Sequence, residues 1–121
     1  MSNELRTSVS VACTNGNYAD SFSVNSSYNQ TSQGASAGTL TTSTSAASLP
    51  VGSLSTVGWL CCRNLDGTNN IFVGGYASST YVPFAELLPG EWGVFRIDPS
   101  ATIKVKSSAG TPILQYMWLN N

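Results

Sequence analysis

Gly58-Trp59-Leu60-Cys61-Cys62-Arg63-Asn64-Leu65, then Asp66-Gly67-Thr68-Asn69, then Asn70-Ile71-Phe72-Val73-Gly74: the reading of this run decides the fold. Its first segment is apolar on both alternating faces, as a strand covered on both sides must be. Its second joins Asp, Gly and Asn, residues that tolerate the backbone of tight turns, and so predicts a hairpin loop. Its third resumes the apolar alternation. Strand, turn and strand in 17 residues, with no three-to-four-residue spacing, point to an all-β chain.

Working outward, the period of two persists. Val9, Val11 and Cys13 share one face, with Ser8, Ser10 and Ala12 on the other, and Phe22, Val24, Ser26 and Tyr28 line a second strand. Tyr81-Val82-Pro83-Phe84 predicts an edge strand or a bulge, since proline cannot donate to a ladder. Leu88-Pro89-Gly90-Glu91 reads as a type II turn, followed by Trp92–Ile97 and a close at Asp98-Pro99-Ser100. Thr102–Lys106 alternates cleanly and puts Lys104 and Lys106 on a wet face. Pro112–Leu119 is apolar on both sides, which requires the middle of a sheet or the cover of another subunit. The expectation is one domain, 1–121: an antiparallel β-sandwich of jelly-roll or Greek-key type, with eight or nine strands and little or no helix.

Charge is distributed unevenly. Only 9% of the 121 residues are charged, and none of the 42 from Ser21 to Cys62 is. An average soluble domain is about a quarter charged residues, and neutral β-sequence has little defence against edge pairing. Residues 21–52, including the Ser/Thr-rich stretch Gly38–Ser48, are therefore expected to form an edge strand or extended arm that a partner covers. The 41% apolar content argues against disorder despite 31 Ser and Thr residues.

Several function classes fall away. The five basic residues, Arg6, Arg63, Arg96, Lys104 and Lys106, are too few and too scattered for a phosphate-neutralising patch, so nucleic acid and membrane are not expected partners. The polar start Met-Ser-Asn-Glu-Leu-Arg has no apolar core of a secretory signal. The chain has no histidine, which removes the commonest general base and metal ligand. Six carboxylates remain: Glu4, Asp20, Asp66, Glu86, Glu91 and Asp98. A pair could serve a glycosidase, but Asp66, Glu91 and Asp98 sit in turn signatures that use them to bind local amides. No catalytic residue, cofactor or metal is expected, because Asp66–Asn70 lacks the repeated carboxylates of a calcium loop and Cys61-Cys62 has no second ligand pair. Buried free thiols are expected at Cys13, Cys61 and Cys62, with a disulfide from Cys13 to one of the pair as the alternative. Asn25-Ser26-Ser27 and Asn29-Gln30-Thr31 fit the glycosylation pattern by chance of composition.

Aromatic residues admit a second reading. Trp59, Trp92 and Trp118 lie within apolar strands and are expected in the core or an interface, while Tyr76 and Tyr81, flanking Ala77–Thr80, could stack on sugar rings as in a carbohydrate-binding module.

The progression Arg63-Asn64-Leu65-Asp66-Gly67-Thr68-Asn69, Ile71–Gly74, Val82-Pro83-Phe84 and Leu88-Pro89-Gly90-Glu91 with a final aliphatic-aromatic strand resembles small virion structural proteins of tailed bacteriophages. The likeness covers about residues 47–120 and departs at Glu91-Trp92-Gly93, where a glycine stands beside a large aromatic. It implies a non-enzymatic, particle-bound role: a head decoration or cement protein, with a tail or baseplate component as the alternative. The implied location is the virion, assembled in the bacterial host cytoplasm. The implied partners are capsid or tail proteins and further copies of the chain, with a trimer expected. Tyr28, Leu40, Tyr76, Tyr81, Met117 and Trp118 are the interface candidates.

Overall fold

The computed structural model describes residues 4–121; Met1, Ser2 and Asn3, the start of the polar N-terminus, lie outside them. Ten strands follow in order: β1 (Leu5–Asn15), β2 (Tyr18–Tyr28), β3 (Ala35–Thr41), β4 (Ala47–Ser48), β5 (Val57–Asn64), β6 (Ile71–Ala77), β7 (Thr80–Leu87), β8 (Trp92–Arg96), β9 (Lys104–Ser107) and β10 (Ile113–Asn120). Every pairing is antiparallel, and no helix occurs among the described residues. The all-β, antiparallel expectation therefore holds. The strand count differs: ten strands, where eight or nine were expected, fall into three sheets ordered β1-β2, β3-β10-β5-β8 and β4-β9-β6-β7.

The chain divides into two compact units, Met1–Gln33 and Gly34–Asn121. The first holds a single hairpin, with β1 and β2 in register over eleven residue pairs. Gly16 sits at φ +61° in its two-residue turn, the backbone that a II′ turn places at its first central position.

In the second unit the two four-stranded sheets share one core. Leu60, Cys62, Leu114, Tyr116 and Trp118 project from one sheet, and Ile71, Val73, Leu87 and Val105 from the other. Strand pairing joins first to last: β3 with β10, β4 with β9, β5 with β8 and β6 with β7. β10 lies between β3 and β5, so its ladder groups are satisfied on both sides, as a two-sided apolar strand requires. β3 and β4, from the charge-free stretch, are edge strands.

Asp66-Gly67-Thr68-Asn69 is not the hairpin that its composition suggests. β5 and β6 belong to different sheets, and the segment between them is a corner. Asn64, fully buried at the end of β5, builds that corner. Its Nδ2 donates to the carbonyls of Asn69 (2.9 Å) and Leu87 (3.0 Å), and its Oδ1 accepts from the Asp66 amide (2.9 Å). Asp66 then accepts from the Thr68 and Asn69 amides, which tightens the bend. A corner satisfied from within has no need of a partner strand, so the chain is free to change sheets.

Within the second unit, the one connection that stays in its sheet is β6 to β7, through Ser78-Ser79. Ser78 has φ +58° and is the only non-glycine at positive φ among the described residues. A left-handed residue other than glycine costs about 1–2 kcal/mol. Ser78→Gly is therefore expected to raise stability by about 0.5–1 kcal/mol, after the greater freedom of glycine in the unfolded chain is subtracted. A urea midpoint measures this, and a lower midpoint for the variant would contradict it.

Pro83 lies on β7, an edge strand, and the β6–β7 register shifts at Val73/Gly74 where Gly74 faces Pro83. Edge position and bulge both follow the expectation for proline. A Cβ on Gly74 would stand 2.2 Å from the Val82 carbonyl oxygen, so only glycine fits the bulge. The type II turn is also present. Gly90 has φ +81°, and the Glu91 amide donates to the Leu88 carbonyl at 2.9 Å. Gly93, the departure from the phage-like pattern, makes room for the Phe95 ring, which a Cβ there would meet at 2.5 Å. Phe95 in turn meets Phe84 edge to face at 5.2 Å.

Candidate interaction surface

The two outer sheet faces of the second unit differ in chemistry. On the β3-β10-β5-β8 sheet, register aligns side chains in rows across all four strands. One row is Ala37, Met117, Cys61 and Val94, without a polar atom able to hold water strongly. The next row is Ala35, Leu119, Trp59 and Arg96, with the Arg96 guanidinium 5.8 Å from the Trp59 ring centre. The row on the other side is Thr39, Gln115, Arg63 and Trp92. The Ala37–Val94 and Thr39–Trp92 rows line a shallow groove of about 650 Å³. Ile113 (43% exposed), Met117 (37%), Val94 (37%) and Trp92 (58%) leave this face open and largely apolar.

The outer face of the other sheet carries charge. Lys104 lies over the Tyr76 ring at 5.6 Å and Lys106 over the Tyr81 ring at 5.3 Å, while Glu86 accepts from Asn70. The Tyr81 hydroxyl sits 3.0 Å from the carbonyls of Phe72 and Lys104, and burial with the neighbouring Tyr76 pushes its pKa up to about 12. Tyr76 and Tyr81 meet edge to face at 5.8 Å.

A third open surface belongs to the hairpin. Cross-strand pairs Val9–Val24, Val11–Phe22 and Leu5–Tyr28 share one face, and Arg6–Ser27, Ser8–Asn25, Ser10–Ser23 and Ala12–Ser21 form the other. Val11 (54%), Phe22 (62%) and Val24 (40%) are exposed.

The interface candidates scatter over these surfaces. Tyr28 is on the hairpin face, Met117 is in the apolar row, and Tyr76 and Tyr81 are on the charged face. Leu40 packs against the core, and Trp118, 1% exposed, is part of it. Trp118 therefore faces no partner, since it shares the inward parity of Leu114 and Tyr116. Trp92, expected in the core or an interface, is outside the core and exposed on the apolar face; nothing in its local pattern distinguished it from Trp118. Ala37, Cys61 and Val94 were missed because small or singly placed apolar residues reveal a surface only when register brings them together.

All six carboxylates accept hydrogen bonds, four of them from residues within three positions in sequence. Asp98 binds Ser100, Glu91 the Leu88 amide, Asp20 the Ser21 amide and Glu4 the Gln30 amide, alongside Asp66 and Glu86 above. The Asn69 and Thr68 amides hold the Asp66 carboxyl below its ordinary value, and the Ser100 hydroxyl and amide do the same for Asp98. With folded values depressed, the stability these groups contribute is present above the unfolded carboxylate range and is lost as pH falls through their folded values. No group of three or more His, Cys, Asp or Glu side chains is placed to hold a metal among the described residues. No helix among them is long and apolar enough to cross a membrane.

The cysteines are free. Adjacent positions on β5 send Cys62 into the core and Cys61 to the apolar outer face, while Cys13 is exposed rather than buried. Burial pushes the Cys62 thiol up to about 11, with Cys61 adding to the rise, and burial also raises Cys61. Because the thiolate is the reacting form, a thiol reagent at pH 8 is expected to label Cys13 first, Cys61 slowly and Cys62 only on unfolding. Peptide-resolved mass spectrometry reads the order, and early labelling of Cys62 would contradict it.

No family model matches the chain, and no curated protein or solved structure matches it either.

Proposed function

We propose that this chain is a structural protein of a tailed-bacteriophage virion, a capsid decoration or cement protein that binds other virion subunits and further copies of itself. The observation that carries the reading is the open apolar row Ala37–Met117–Cys61–Val94, which crosses an entire sheet opposite a charged one. Patches of this kind mark sites of association. Strand order supports the fold implied by the resemblance. First-to-last pairing of eight strands, split between two sheets, is the order of a jelly-roll sandwich, a fold of viral capsid domains. Lectins share that architecture, so the function rests on the surface and not on the fold.

The surface disfavours the sugar-binding alternative. Lys104 and Lys106 occupy the ring faces of Tyr76 and Tyr81, and the Tyr81 hydroxyl is engaged with the sheet backbone. A glycan would have to displace both ammonium groups before stacking. The carboxylates, each engaged in a hydrogen bond within the protein, give no support to a hydrolytic role.

Mass spectrometry of purified virions, paired with a particle map, tests the proposal. The expected result is a stoichiometric component on the head, with the apolar row against a neighbouring subunit. Density on the tail or baseplate would move the assignment there, and absence from particles together with a monomeric mass in solution would end it.

A further inference from the structure

We propose that Asn15 is a site of spontaneous covalent modification: the Gly16 amide closes on the Asn15 side chain, ammonia leaves, and the tip of the β1–β2 hairpin keeps aspartate or isoaspartate. The proposal concerns the first unit alone and does not rest on the virion reading.

The step balances with water as its only co-reactant. The Gly16 backbone nitrogen gives its proton to solvent base and attacks Cγ of Asn15. A bond from that nitrogen to Cγ forms, the bond from Cγ to Nδ2 breaks, and ammonia carries Nδ2 away. Water then opens the succinimide ring at either carbonyl. One opening gives aspartate; the other gives isoaspartate, with the chain continuing through the former side chain.

This chemistry needs an asparagine whose following amide is free and uncrowded. Asn15-Gly16 is the one Asn-Gly step in the sequence. Asn15 ends β1 opposite Tyr18 and is exposed, as is Gly16. Gly16 brings no side chain to hinder the attack, and nothing stands within 4 Å of the place a Cβ would take. Among the described residues, neither the Asn15 side chain nor the Gly16 amide has a hydrogen-bond partner. Asn15–Tyr18 is also the last pair of a ribbon that no third strand supports, so the backbone there opens at little cost.

The fold occupies the competing positions. After Asn29, the Gln30 amide donates to Glu4 at 3.4 Å. After Asn64, the Leu65 amide donates to the Ile113 carbonyl at 3.0 Å. After Asn69, the Asn70 amide donates to the Ser108 hydroxyl at 3.1 Å, and after Asn120 the Asn121 amide donates to the Thr56 carbonyl at 2.9 Å. Asn17, Asn25 and Asn70 are followed by Tyr18, Ser26 and Ile71, strand residues with side chains of their own. At the related Asp66-Gly67 step the electrophile is a carboxylate, already bound to the Thr68 and Asn69 amides.

The product changes the hairpin. A carboxylate at position 15 adds one negative charge to a chain of formal net charge −1. It stands on the same face as Asp20, which pairs with Cys13 two residues away. Isoaspartate also lengthens the backbone by one carbon, so the pairing of β1 with β2 loosens from the tip.

Peptide-resolved mass spectrometry of the full chain, held folded at pH 8 and 37 °C for days, tests this. The expected result is a gain of about 1 Da at Asn15, or about 3 Da in heavy-oxygen water, with aspartate and isoaspartate both present. Conversion there is expected to run at least about tenfold ahead of every other asparagine. Asn15→Gln is expected to abolish it, because the longer side chain closes its ring far more slowly. Trp59, Trp92 and Trp118 all lie in the 34–121 unit, so the tryptophan-fluorescence unfolding midpoint should survive conversion while amide hydrogens of β1 and β2 exchange faster. An Asn15 that reacts in urea but not in the folded chain would overturn the proposal, because the turn would then protect it. Aspartate without isoaspartate would do the same, since no ring would have formed, as would equal conversion at Asn25 or Asn69.

Discussion

Asn64→Ala is expected to lower the stability of the 34–121 unit by about 3–4 kcal/mol, a large share of the roughly 5–15 kcal/mol that holds a domain of this kind. The cost comes from what alanine leaves behind. Asn64 is fully buried, and its side chain satisfies three backbone groups: the carbonyls of Asn69 and Leu87 and the amide of Asp66. Each loses its partner at once, and an unsatisfied buried polar group costs about 1–3 kcal/mol. The backbone of Asn64 also meets the β7–β8 turn, donating to the Glu91 carbonyl at 2.9 Å and accepting from the Gly90 amide at 3.1 Å. One residue thus ties the β5–β6 corner, the end of β7 and the entry to β8. Asn64→Asp is expected to do no better, because it keeps the acceptor, loses both donors and adds a buried charge. Urea unfolding followed by tryptophan fluorescence reads the effect. A shift below 1 kcal/mol for the alanine variant would mean that the corner holds without the amide.

That residue also shows where legibility ends. Strand positions were readable because alternation is a local signal: Thr102–Lys106 places Val105 inside and both lysines outside, and Pro112–Leu119 needs the central position it occupies. Punctuation was readable too, at Pro83 and at Pro89-Gly90, because ring closure and positive φ are properties of single residues. Partners were not readable. Asp-Gly between two strands favours a hairpin, yet the choice between a hairpin and a corner is made by Asn64, whose bonds reach Leu87, 23 residues away. Tight-turn chemistry was present at Asn15-Gly16-Asn17, and the β1–β2 ribbon follows it. β4 is two residues long and owes its existence to Lys104 and Val105, so no local pattern could announce it. The apolar row suffers the same limit. Ala37, Cys61, Val94 and Met117 come from four separate strands, and only register makes them one surface.

The same limit separates two neighbours on β10 and gives the second large effect. Trp118 and Met117 are both apolar, and both were candidates for an interface, but parity sends them to opposite sides of the sheet. Trp118→Ala is expected to cost about 3–5 kcal/mol, since it empties the largest fully buried side-chain volume in the core. Trp118→Phe should cost much less than its lost volume suggests. The Trp118 Nε1–H is the one buried side-chain polar atom without a hydrogen-bond partner among the described residues, and phenylalanine removes that unpaired donor with the ring. Met117→Ala, 37% exposed on the outer face, should shift the unfolding midpoint little. Unfolding of the three variants side by side separates a core role from a surface one. Were Trp118→Ala to unfold like the wild type while Met117→Ala collapsed, the inward and outward faces of β10 would be exchanged. Every row assigned to the open sheet would then move into the core, and the association surface would have to be sought on the other parity.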